Sequence, residues 1–126
     1  MTLSIVRLEL ARDPQYPVGS PAHGYEFVAP LNRDGHIDAE EWRTSKNRCA
    51  VRRFWDGEAD ERGHLVHRRG GTWAFHYDVQ GDSDEDEPGW KFDTHVFKTG
   101  EYVSLREQDG ELRTFRVVSV RPAPPA

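Results

Sequence analysis

The feature that most constrains this chain is a repeated two-residue alternation of apolar and polar side chains, confined to short runs. "LSIVRLEL" (residues 3–10), "HGYEFVAPL" (23–31), "RCAVRRFW" (48–55), "TWAFHYDV" (72–79) and "ELRTFRVVSV" (111–120) all show it or are rich in β-branched and aromatic residues. Alternation at that period buries one face of a strand and wets the other. Between the runs stand segments that strands do not tolerate: "DPQYPVGSPA" with three prolines, the polar "DGEADERG", the acidic "GDSDEDEPG", and Asp109-Gly110, a strong hairpin signal. Only "IDAEEWRTSK" suits a helix, with Asp38 placed to cap its first turn and Glu41 three residues on.

These signals predict a mainly β fold of the β-rich α+β kind. The expected form is a small, strongly bent antiparallel sheet or partly open barrel of about seven or eight strands, with one short helix near residues 38–46. A single domain over residues 1–121 and an extended, disordered tail over 122–126, "PAPPA", complete the expected organisation. A chain of 126 residues with four Trp, six Phe and four Tyr has the bulk for one core.

Composition sets aside several classes of function. The lone Cys49 excludes an internal disulfide and favours a reducing, cytoplasmic setting. No apolar run is long enough to span a membrane, and the N-terminus lacks a secretory pattern, so no membrane partner is expected. The net charge of -5 disfavours nucleic acid as a partner. A catalytic nucleophile is not recognisable: Cys49 sits in an alternating strand as core filler, no serine occupies a nucleophile elbow, and "RGGT" joins two strands rather than opening a helix.

"LNRDGHIDAEEW" (residues 31–42) resembles the later part of a calcium-binding loop. Aligned on Gly35, it places Asn32, Asp34, Ile37, Asp38 and Glu41 at the third, fifth, eighth, ninth and twelfth positions. The first ligand position, however, falls on Pro30, and a strand stands where the entering helix is required. A turn at Asp34-Gly35 followed by a helix cap at Asp38 accounts for the same residues, and is preferred to calcium.

Six histidines include four in one region: His64, His67, His76 and His95. A two-residue turn at Gly70-Gly71 would pair His67 with Ala74 and Leu65 with His76. His64, Val66, Trp73, Phe75, Tyr77 and Val79 would then form the core face. His67, His76 and Asp78 would share the other, where with His95 they offer a site for a divalent transition metal that activates water. Arg52, Arg53, Arg68 and Arg69, interleaved with Phe54, Trp55 and Trp73, form the candidate anion-binding set. Arg52 and Arg53 are adjacent and so point to opposite faces, which limits that set. Pairing with the acidic 82–87 run is the plainer account.

The expected function is a non-enzymatic binding or regulatory module for a protein or small-molecule ligand, without a cofactor. A small metal-dependent hydrolase-like enzyme using the 64–79 hairpin is the alternative, and an anion or single-stranded nucleic-acid binder is the second.

Overall fold

A computed structural model describes residues 3–67, 73–77, 96–106 and 111–124. Among these residues, seven antiparallel strands form one curled half-barrel sheet. They are β1 (Leu3–Leu10), β2 (Ser20–Pro30), β3 (Ala50–Trp55), β4 (Glu61–His67), β5 (Trp73–Tyr77), β6 (Tyr102–Arg106) and β7 (Leu112–Pro122). Their order across the sheet is β5-β4-β3-β2-β1-β7-β6. Helix α1 (Ala39–Ser45) continues into a 3-10 turn over Lys46–Arg48 and lies between β2 and β3 in sequence. Among the described residues, no helix is long and apolar enough to cross a membrane.

Alternation delivers one apolar side chain in two to the concave face. Val6 and Leu8 of β1 lie opposite Phe27 and Tyr25 of β2, and all four are buried. The curl is visible in which rings touch. Phe27 stands three strands away from Phe75 of β5, a separation of about 14 Å in a flat sheet. Their ring centroids are nevertheless 5.3 Å apart. The sheet has therefore folded over onto itself, and Phe115 of β7 completes the seam against Tyr25 at 5.2 Å. Phe97, from the chain approaching β6, packs edge-on against Phe27 at 5.4 Å, while its amide donates to the Gly35 carbonyl at 2.8 Å.

Two glycines permit close approach within this curl. A Cβ on Gly24 would come within 1.9 Å of the Leu8 carbonyl oxygen, and one on Gly63 within 2.0 Å of the His76 carbonyl oxygen. Any side chain at either place would force the strands apart.

Helix α1 closes one end of the half-barrel. Asp38 accepts a hydrogen bond from the Glu41 amide at 3.0 Å, as the cap expectation requires. Trp42 donates from its indole nitrogen to the Leu65 carbonyl at 3.0 Å and meets Trp73 edge-to-face at 5.5 Å. The C-terminal segment is extended: β7 runs to Pro122, the Ala123 amide donates to the Leu3 carbonyl, and Arg48 donates to the Pro124 carbonyl.

One register differs from expectation. β4 and β5 pair as His64 with His76, Leu65 with Phe75, Val66 with Ala74 and His67 with Trp73. The expected register is off by one residue, so Leu65 and His67 join the face of Trp73, Phe75 and Tyr77, while His64 and Val66 leave it. Burial explains the choice, because the observed register encloses Leu65, which is 1% exposed, where the expected one would have enclosed His64. Fully burying a leucine is favourable by about 1.5–3 kcal/mol. Among the described residues the pairing extends as far as His67 and Trp73. Gly70 and Gly71 themselves lie outside the described residues.

The register predicts opposite responses at neighbouring positions. Leu65→Ala should cost about 2–5 kcal/mol in urea unfolding, and His64→Ala less than about 1 kcal/mol. The reverse order would contradict the pairing.

Candidate functional site

The most distinctive surface feature is a groove of about 690 Å³ on the convex side of the sheet, where the segment 11–21 faces β6 and β7. The end of strand β1, at Glu9 and Leu10, contributes to its lining, and β1 has an irregularity in the ladder on each side. Against β2, the register jumps between Glu9, opposite Gly24, and Leu10, opposite Ser20. Against β7, it shifts between Arg7, opposite Ser119, and Leu8, opposite Val117. The jump against β2 leaves Pro21, Ala22 and His23 without a partner in β1, and the shift against β7 leaves Val118; of these, Pro21 and Val118 line the groove. Bulges bend a strand and re-aim its side chains, and here both open onto one surface.

The lining is mixed. Val18 is 96% exposed and Tyr102 61%, apolar groups at opposite sides of the groove. Arg12 and Arg116 are exposed lining residues. Glu9, also in the lining, accepts from Arg7 at 2.8 Å.

The wall formed by segment 11–21 is held from the concave side. Asp13 and Tyr16 bridge through reciprocal backbone hydrogen bonds, and the Gly19 amide donates to the Tyr16 carbonyl with Gly19 at φ +76°. Tyr16 then packs on His23 at 4.6 Å, and His23 on Trp55 at 4.4 Å. Two guanidinium groups lie near the Trp55 ring, that of Arg53 at 4.5 Å and that of Arg113 at 5.4 Å. Arg113 also bonds Asp13 at 3.2 Å and Gln15 at 3.0 Å, which ties β7 to the loop.

His23 is the buried polar group of this anchor, with its Nδ1 2.6 Å from the Ser20 hydroxyl. Burial is the main reason its imidazole is held below the ordinary value of 6.5. The Arg53 and Arg113 charges act in the same direction, and Asp56 and Glu58 oppose them.

The residues singled out in the sequence are distributed as follows. His67 faces the concave side, stacked on Trp73 at 4.2 Å and near Trp42 at 5.9 Å. His76 lies on the opposite face, paired with His64. The expected convergence of His67 and His76 is thus corrected by the one-residue change of register. Asp78 and His95 lie outside the described residues. Among those described, no group of three or more His, Cys, Asp and Glu side chains is placed to hold a metal.

Arg52 and Arg53 point to opposite faces, as strand geometry demands. On the convex face, Arg52 bonds Asp60 at 3.0 Å and approaches Glu26 at 3.9 Å. Glu26 is shared with Arg7 and Arg121. Phe54 lies under the Arg7 and Arg52 guanidinium groups, at 4.4 and 5.0 Å. Arg53 instead bonds the Tyr25 hydroxyl and Glu58. Both arginines are therefore engaged with carboxylates of neighbouring strands and turns. Arg68, Arg69 and the acidic 82–87 run lie outside the described residues.

In the calcium-like stretch, the side-chain oxygens of Asn32 and Asp38 serve the chain's own amides. Asn32 Oδ1 accepts from the amides of Asp34 at 2.9 Å and His36 at 3.1 Å, Gly35 takes φ +87°, and Asp38 caps α1. The turn-and-cap geometry is present. Cys49 is buried, and burial pushes its thiol pKa up, which suits packing rather than nucleophilic attack.

The groove was not foreseen, since it depends on irregular pairing, to which alternation is blind. The three-proline segment leading into β2 was the available signal. No protein-family model, curated protein or solved structure matches the chain.

The His23 anchor carries a pH dependence. With its folded pKa below 6.5, the unfolded chain binds the proton more readily, so the contribution of this group is present above about 6.5 and is lost as pH falls below it. Urea midpoints measured between about pH 7 and pH 5 should fall more steeply for the native sequence than for His23→Phe. Parallel slopes would exclude His23 as the titrating group.

Proposed function

We propose that this chain is a non-enzymatic binding module whose convex groove takes an extended segment of a partner protein. The observation that carries this reading is the meeting of both irregularities of β1 in one groove, because interrupted ladders present backbone and re-aimed side chains to a ligand. The lining suggests the chemistry of the segment. Arg12 and Arg116 would receive carboxylates, as guanidinium groups do in forked geometry, and Val18 and Tyr102 would flank an apolar side chain. An acidic segment with an interspersed apolar residue fits best. The single cysteine supports a reducing, cytoplasmic setting for this role.

An array of short synthetic peptides of varied charge tests the proposal, with affinities then measured in solution. Peptides combining carboxylates with a large apolar residue should bind, and Arg116→Glu or Tyr102→Ala should weaken binding by about tenfold or more. A binding level that is indifferent to both substitutions, or preference for basic peptides, would refute the groove as the site.

A further inference from the structure

We infer that the partner's segment continues beyond the groove along β7 as far as Leu112, so that this surface recognises two apolar side chains four residues apart on an extended, acidic chain. This rests on the groove being the binding site, and adds the spacing that the site selects.

Strand alternation lays out the surface. Phe115 and Val117 of β7 are buried in the concave face, so Leu112, Thr114, Arg116 and Val118 project from the convex one. Across the ladder, Tyr102 of β6 stands opposite Arg116, and Ser104 opposite Thr114. The hydroxyls of Ser104 and Thr114 are 3.1 Å apart, so the two side chains share this face. Tyr102, Thr114, Arg116 and Val118 line the groove. Leu112 is the next outward residue of β7, just past that lining.

Two observations single out this strip. Among the described residues, the exposed large apolar side chains are Val18, Tyr102 and Leu112, the last 59% exposed. One such side chain alone is ordinary, but two of these flank the groove and the third lies on its continuation. The second observation is charge. Arg7, Arg52, Arg53 and Arg113 are each paired with a carboxylate, whereas among the described residues the exposed side chains of Arg12 and Arg116 make no ion pair or hydrogen bond. Positive charge that the chain's own carboxylates leave uncompensated, set between apolar groups, complements an acidic segment carrying apolar residues.

The spacing follows from strand geometry. Side chains on one face of an extended chain recur at every second residue, and four residues span about 13–14 Å. Arg116 and Leu112 are themselves four residues apart on β7, so an extended segment lying along β7 keeps step with it. A first apolar side chain between Val18 and Tyr102, level with Arg116, is followed on the same face by a residue over the hydroxyls of Ser104 and Thr114. Those hydroxyls favour a polar residue there. The next residue on that face is a second apolar one, at Leu112. Arg12 and Arg116 supply the charge for carboxylates flanking the first.

Fluorescence anisotropy with the full-length chain tests the spacing. The probe is a labelled synthetic decapeptide of glutamate and threonine with leucine at its fourth and eighth positions. It should bind, and replacing its second leucine by threonine, or moving that leucine by one position, should weaken binding by about tenfold. A shift of one position turns the side chain to the other face of an extended segment. Leu112→Ser should weaken the two-leucine peptide by about tenfold and leave the one-leucine peptide unchanged, while Arg116→Glu should weaken both. The melting temperature of Leu112→Ser should stay close to that of the native sequence, because the position is exposed. Weakening by Arg116→Glu combined with indifference to Leu112→Ser, or to displacement of the second leucine, would overturn the continuation and leave the groove standing. Failure of both peptides to bind, or indifference to Arg116→Glu, would overturn the groove and this inference with it.

Discussion

The contact between Phe27 and Phe75 is the constraint on which the rest of the molecule depends. These rings belong to strands separated by two others, and only a sheet that has closed over its own concave face can bring them together. Once it has, Tyr25, Phe115 and Phe97 fill the remaining space. The convex face carries a mixture of charged side chains, such as Arg7, Glu26 and Arg52, and apolar ones, such as Phe54. Burial of aromatic area supplies the driving force, and backbone pairing makes the result specific.

The two ends of the curl are finished differently. At one, α1 lays Trp42 against Trp73 and His67, and a single indole hydrogen bond fixes the helix to β4. At the other, Trp55 lies against His23 and Tyr16 with two arginines near its ring. Each arginine also reaches a carboxylate, Arg53 to Glu58 and Arg113 to Asp13. Positive charge beside an aromatic face is stabilised by the ring quadrupole, so segment 11–21 is held by packing and charge together. This matters for the groove, since the same segment forms its outer wall.

Much of this was legible in the sequence. Alternation located the strands, because side-chain period follows directly from backbone geometry, and the cap pattern at Asp38 located the helix. Asp38 as a cap, the Asp34-Gly35 turn and the divergence of Arg52 from Arg53 follow from local rules, and the structure has them. The β4–β5 register differs from expectation because a two-residue turn at Gly70-Gly71 would enclose His64, whereas the observed pairing encloses Leu65. The stronger apolar preference of Leu65 was the better guide. The groove lay beyond reach for another reason: it arises where β1 falls out of step with both neighbours, which depends on contacts between residues about a hundred positions apart, such as Leu8 and Val117.

That distant pairing has a bearing on biosynthesis. Strand β1 lies between β2, which follows it closely, and β7, which comes after every other strand. During translation one side of β1 can zip at once, but its other rim, with Ile5, Val6 and Leu8 along it, must wait until β7, far along the sequence, has emerged. An apolar strand with an unmatched rim templates pairing with other chains, so the risk of aggregation is greatest before Phe115 and Val117 arrive to cover it.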